Sequence, residues 1–147
     1  VEAAVSASGV RYALRSRDPV DGPLDVCIAD TTGELQKLTQ VADIVFVGRS
    51  LPPHRDGQTP VEAAGLGRAL IFGPVMANFR AIASGLVASG AARQVRGEVE
   101  LTKVVGELVR DSVERERLGK CGRDWHQANR GALELTLHEV RDVLGQS

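Results

Sequence analysis

Two runs decide the fold: Asp43-Ile44-Val45-Phe46-Val47, closed by Gly48, and Ala69-Leu70-Ile71-Phe72, closed by Gly73-Pro74. After Asp43, each is short, continuously apolar, rich in β-branched or aromatic residues, and stopped by a glycine. Continuous rather than alternating hydrophobicity marks a strand buried on both faces, as in a parallel sheet covered by helices. Working outward, Leu24 to Ala29 reads as another short apolar strand and Val10 to Ser16 as one more. Ala91 to Val95 is a candidate final strand. Helical spacing fills the gaps: Val1 to Ser8 closed by Gly9, Thr32 to Ala42, Thr59 to Leu66 stopped by Gly67, and Ala77 to Ser89 stopped by Gly90. Arg17 to Pro23 and Ser50 to Gln58 read as loops. Beyond Glu98 the chain is helical throughout, over Glu98–Arg110, Ser112–Asn129 and Gly131–Leu144. Strand and helix alternate, so the fold class is α/β: one Rossmann-like parallel sheet flanked by helices, with a helical C-terminal tail packed outside.

Composition bounds the function. The chain has 147 residues, 43% hydrophobic and 25% charged, which suits one domain over 1–147 with a core of its own. The formal net charge is -1, without the basic surplus of a nucleic-acid binder. The two cysteines, Cys27 and Cys121, form no C-x-x-C pair, and Cys27 in its apolar run reads as a small buried hydrophobe. His54, His126 and His138 share no ligand spacing, so no metal site is expected. His126, next to Trp125, reads as packed and His54 as solvated. No cofactor motif, P-loop or nucleophile elbow is present. No apolar run approaches a membrane span. The chain opens without Met and inside a helix, so it is expected to be a piece of a longer protein.

In a sheet of this kind ligands bind outside the carboxyl ends of the strands. Three segments lie there. Asp30-Thr31-Thr32-Gly33-Glu34-Leu35 has the S/T-x-x-E spacing of a capping box through Thr31 and Glu34. It is equally a place where the N–H groups of Thr32, Gly33 and Glu34 face an anion or polar ligand. Gly48-Arg49-Ser50-Leu51 leads to Thr59-Pro60-Val61-Glu62, with Thr59 as N-cap, Pro60 at the first helical position and Glu62 at the third. Glu62 either closes that box or accepts the two hydroxyls of a ribose, and Arg49 supplies a fixed cation for a phosphate. Gly73-Pro74-Val75-Met76-Ala77-Asn78-Phe79 places Asn78 either as a cap or toward the cleft, with Phe79 read as core.

Together these segments resemble the C-terminal domain of the 3-deoxy-D-manno-octulosonic acid (Kdo) transferases. The family's order is D-T-x-G-E-L, A-D-x-x-F-V-G-G-S-L, H-N-P-L-E-P-A and G-P-x-x-x-N-F. It is matched by Asp30 to Leu35, Ala42 to Leu51, Gln58 to Ala64, and Gly73 to Phe79, with Asn129-Arg130-Gly131-Ala132-Leu133 similar to the closing helix. The resemblance implies the donor half of a two-domain GT-B glycosyltransferase. Such an enzyme moves Kdo from CMP-Kdo to a lipid A precursor in lipopolysaccharide biosynthesis, with no metal or cofactor, at the cytoplasmic face of the bacterial inner membrane. It implies CMP contacts from Thr32, Gly33, Glu34, Thr59, Pro60, Val61 and Glu62, with phosphate or sugar contacts from Gly48, Arg49, Ser50 and Asn78. The catalytic base and the acceptor site would belong to an N-terminal domain outside this chain, so the chain alone would be inactive. Arg49, Gln58, Thr59 and Ala63 depart from the pattern. A UDP-sugar transferase or epimerase of the same architecture, or an interaction domain whose boxes are only caps, are the competing readings. If the family's first strands precede Val1, the remaining sheet exposes an edge that invites self-association.

Overall fold

The computed structural model describes residues 1–17 and 22–144, the stretch from 131 on by its backbone alone. The chain divides into two compact units, Val1–Leu38 and the residues from Thr39 onward.

The first unit holds helix α1 (Glu2–Ala7) and strands β1 (Tyr12–Leu14) and β2 (Val26–Ile28), which pair in parallel with Ala13 opposite Cys27. Helix α2 (Leu35–Val41) begins in this unit and runs into the next. Most of the loop expected between Arg17 and Pro23 lies outside the described residues. Cys27 is exposed rather than buried. Successive side chains of a strand point to opposite faces, and in β2 Val26 and Ile28 take the more covered one.

The second unit is a parallel three-stranded sheet in the order β3 (Ile44–Phe46), β4 (Ala69–Phe72), β5 (Ala92–Gln94), with α3 (Val61–Gly65), α4 (Arg80–Ala88), α5 (Glu98–Arg110) and α6 (Ser112–Leu144) around it. Central β4 is buried at every position, and its alternation explains why. Leu70 and Phe72 join a cluster with Ala63 and Ala64 of α3 and Ala83 and Leu86 of α4. Ala69 and Ile71 join another with Val104 and Leu108 of α5 and Leu118 of α6. A helix layer on each face turns a strand into a continuous apolar run. β3 lies at the edge of its sheet, and its Phe46 is 37% exposed, so the expectation of a strand buried throughout holds for β4 but not for β3.

Two departures from the sequence expectation have a clear cause. α2 starts at Leu35, not Thr32, because Gly33 adopts a positive φ of 86° that no helix can continue through. The tail helices expected on either side of Arg130 are one, α6: a lone Gly131 costs about 1 kcal/mol against Ala but does not stop a helix. The stop between α5 and α6 is Asp111. It is extended, and its carboxylate accepts from the Glu114 N–H at 2.9 Å as an N-cap. No helix among the described residues is long and apolar enough to cross a membrane.

Candidate functional site

At the carboxyl end of β3 the chain enters a loop that is pinned, not free. Gln58 N–H donates to the Gly48 carbonyl at 3.1 Å, closing the loop on itself. Ser50 is fully buried; its hydroxyl donates to the Val47 carbonyl at 2.6 Å and accepts from Gly73 N–H at 2.8 Å. Val75 N–H donates to Ser50 O at 2.9 Å, and Gly57 N–H to Val75 O at 3.0 Å. Ser50 therefore staples the loop after β3 to the turn after β4. Gly73 has to be glycine for this approach, since a Cβ there would run into the Ser50 carbonyl. Of the residues singled out for ligand contact, Ser50 is committed inward, and Pro60 is likewise fully buried.

Arg49 sits at φ 61°, the left-handed region that disfavours a side-chain-bearing residue. This is the position where the Kdo transferase pattern carries its second glycine. Its guanidinium donates to Asp56 Oδ1 from Nη2 at 2.7 Å and from Nε at 3.1 Å. That contact holds the Asp56 carboxyl below its ordinary pKa. Sequence reasoning missed Asp56; the only signal was an acid in the same loop as Arg49.

Thr59 stands just past the loop closure, and its hydroxyl accepts from Val61 N–H at a long 3.4 Å. Helix α3 begins at Val61, with Pro60 rather than Thr59 in the N-cap position. The carboxylate of half-buried Glu62 has no hydrogen-bond or ion-pair partner among the described residues, so the capping box that would have occupied it does not form. Asn78 lies in a 3-10 turn, Ala77–Phe79, exposed and equally unpartnered, while Phe79 packs on the core cluster. Gly48, Arg49, Ser50, Thr59 and Glu62 are thus gathered by one loop and the helix after it.

In the first unit, Thr32 and Gly33 are exposed, and the N–H groups of Thr32, Gly33 and Glu34 find no acceptor among the described residues. The Glu34 carboxylate is already engaged. The Thr31 hydroxyl donates to it and Arg15 Nη2 reaches it at 3.2 Å, contacts that lower its pKa in that order of importance. The box here forms between side chains and leaves the backbone donors open. Asp30, at the end of β2, accepts from both the hydroxyl and the N–H of Ser16, which lowers its pKa too.

The histidines play no joint part. His54 is exposed, the His126 ring stacks within 3.2 Å of where a Gly65 Cβ would lie, and the His138 side chain lies outside the described residues. No group of three metal-ligating side chains occurs among the described residues.

No family model matches the chain. It is 32% identical over 97% of its length to a 3-deoxy-D-manno-octulosonic acid transferase of Bordetella pertussis, and 33% identical over 81% of its length to one of Haemophilus influenzae. It covers 34% and 28% of those two proteins, so the chain spans about a third of the length of the relatives it matches. The fold matches the crystal structure of the C-terminal CMP-Kdo binding domain of WaaA from Acinetobacter baumannii. The TM-score is 0.77 at 20% identity, over 83% of this chain and 64% of that one. The relatives share one name, the first of them aligns along 97% of the chain, and the fold agrees with that of a CMP-Kdo binding domain: the chain belongs to the 3-deoxy-D-manno-octulosonic acid transferase family.

Proposed function

We propose that the chain is the donor-binding domain of a Kdo transferase, holding CMP-Kdo while a second domain presents a lipid A precursor. The whole enzyme would act in lipopolysaccharide biosynthesis at the cytoplasmic face of the inner membrane. The observation that carries this is Glu62: a half-buried carboxylate in the helix that follows the carboxyl end of a parallel strand, with no partner among the described residues. A carboxylate is an acceptor for two adjacent hydroxyls, which is what a ribose offers. The open amides of Thr32, Gly33 and Glu34 supply donors of the kind that bind polar or anionic groups. Thr59 and Val61 complete the contact from the start of α3, buried Pro60 sets the backbone there, and Gly48, Arg49 and Asn78 are left for the phosphate and sugar. Ser50 serves the site by holding the loop.

Chemistry follows from this division. The domain fixes the nucleotide, which becomes the leaving group, and contributes no proton-transferring residue of its own. The base that activates the acceptor hydroxyl comes from the other domain. Calorimetric titration with CMP, UDP and GDP tests the reading. CMP is expected to bind most tightly. UDP binding with no CMP binding would reassign the donor, and the departures at Gln58 and Thr59 make that comparison informative. Glu62→Gln should weaken CMP by about 1–3 kcal/mol, whereas Glu34→Gln, whose carboxylate is occupied by Thr31 and Arg15, should change it far less.

A further inference from the structure

The opposite end of the three-stranded sheet carries a second polar cleft, of about 470 Å³, between the start of β4 and the first turns of α6. It is lined by Arg68, Arg115, Lys120 and Arg123 against Asp43 and Glu116, so cations outnumber carboxylates two to one. α6 reaches this place because Gly119 has no side chain; a Cβ there would collide with the Gly67 carbonyl. That close approach sets the Arg115, Lys120 and Arg123 stems around Arg68.

The cations are not equivalent. Arg115 donates to the Leu108 and Val109 carbonyls at the end of α5, and Lys120 pairs with Asp124 at 2.8 Å. The guanidiniums of Arg68 and Arg123 have no partner among the described residues. Nε of Arg68 is moreover buried without an acceptor. A buried donor left unpaired is costly, and a guanidinium fork suits a tetrahedral oxyanion. Ser112, at the amino end of α6, also faces the cleft, and the dipole of that long helix adds to the positive potential. The two carboxylates limit the cleft to a compact anion.

We propose that this cleft is a binding site for a single phosphate group, separate from the donor site and at the other end of the strands. Two sources share that chemistry: a phospholipid headgroup and a soluble phosphate ester. The test is an amide and arginine Nε–Hε NMR titration of the chain with inorganic phosphate at constant ionic strength. It is paired with co-sedimentation on phosphatidylglycerol vesicles, with phosphatidylcholine vesicles as control. Saturable shifts confined to Gly67–Ala69, Ser112–Glu116 and the Arg68 Nε–Hε are expected. Arg123→Gln, at an exposed position that leaves the fold alone, should weaken them by about tenfold, and Arg68→Gln with Arg123→Gln should remove them. Phosphate shifts without vesicle binding assign the site to a soluble ester. Sedimentation with phosphatidylglycerol that Arg123→Gln abolishes assigns it to a headgroup. Neither response, a response unchanged by Arg123→Gln, or non-saturating shifts spread over other basic residues such as Arg80 and Arg96 would overturn the proposal.

Discussion

The two compact units are held by different chemistry. From Thr39 onward stability rests on apolar burial: Leu70, Ile71, Phe72, Leu86, Leu108 and Leu118 are all but inaccessible to solvent, in two clusters on either face of β4. Among the described residues of Val1–Leu38, only Ala13 and Leu14 are buried hydrophobics. The strand ends there are tied by polar contacts instead, Asp25 to Arg11 N–H, Asp30 to Ser16, and Glu34 to Thr31 and Arg15.

Substitution in the core should separate them most. Phe72→Ala is expected to cost about 3–5 kcal/mol, while Cys27→Ser, on the exposed side of β2, should stay within about 0.5 kcal/mol. Chemical denaturation reads both; equal effects would erase the distinction. Ser50→Ala comes next. It leaves the buried Gly73 N–H without an acceptor, an expected loss of about 1–3 kcal/mol together with faster amide exchange at Gly57 and Val75.

Acid should act in the other direction. Asp30 and Glu34 are held below their ordinary values by Ser16 and Thr31 respectively, so folding lowers both pKa values. Their stabilisation is full above the unfolded values near about 4 and fades as pH falls through the depressed ones. Amide protection at Ser16 should therefore decline with acidification while that at Leu70 and Phe72 persists; parallel loss at all three would contradict the comparison. The smallest effect is at Arg49. Replacement by Gly relieves a left-handed φ, worth about 1–2 kcal/mol, but gives up the Asp56 contact, so thermal midpoints should rise slightly or stay level. A marked fall would show that the ion pair outweighs the strain.

Much of this was legible in the residues themselves. Ala69 to Phe72 reads as a doubly covered strand because each of its side chains is apolar, and Gly67 and Gly90 mark helix ends by positive φ. The loop after β3 follows from glycine and proline placement. What stayed hidden depends on tertiary context. Spacing alone makes Thr59 and Glu62 a capping box. Their bonds show instead a carboxylate left free, and at Thr31 and Glu34 side chains that bond each other. Ser50 offered a hydroxyl for a phosphate or sugar, yet a hydroxyl is also the right size to join two strand-end backbones from inside. The basic cleft escaped because Arg68 is far in sequence from Arg115, Lys120 and Arg123, and the packing of α6 onto Gly67, which Gly119 permits, brings them together.

The central proposal is that the chain binds CMP, with Glu62 as the contact that carries the reading and the amides of Thr32, Gly33 and Glu34 as further proposed contacts. Backbone NMR of the chain with CMP addresses it directly, in wild type and in Glu62→Gln. The account predicts saturable shifts at Thr32 to Glu34 and at Thr59 to Glu62 with a common affinity, weakened together in the variant. Binding that Glu62→Gln leaves unchanged, or shifts that miss either segment, would contradict it.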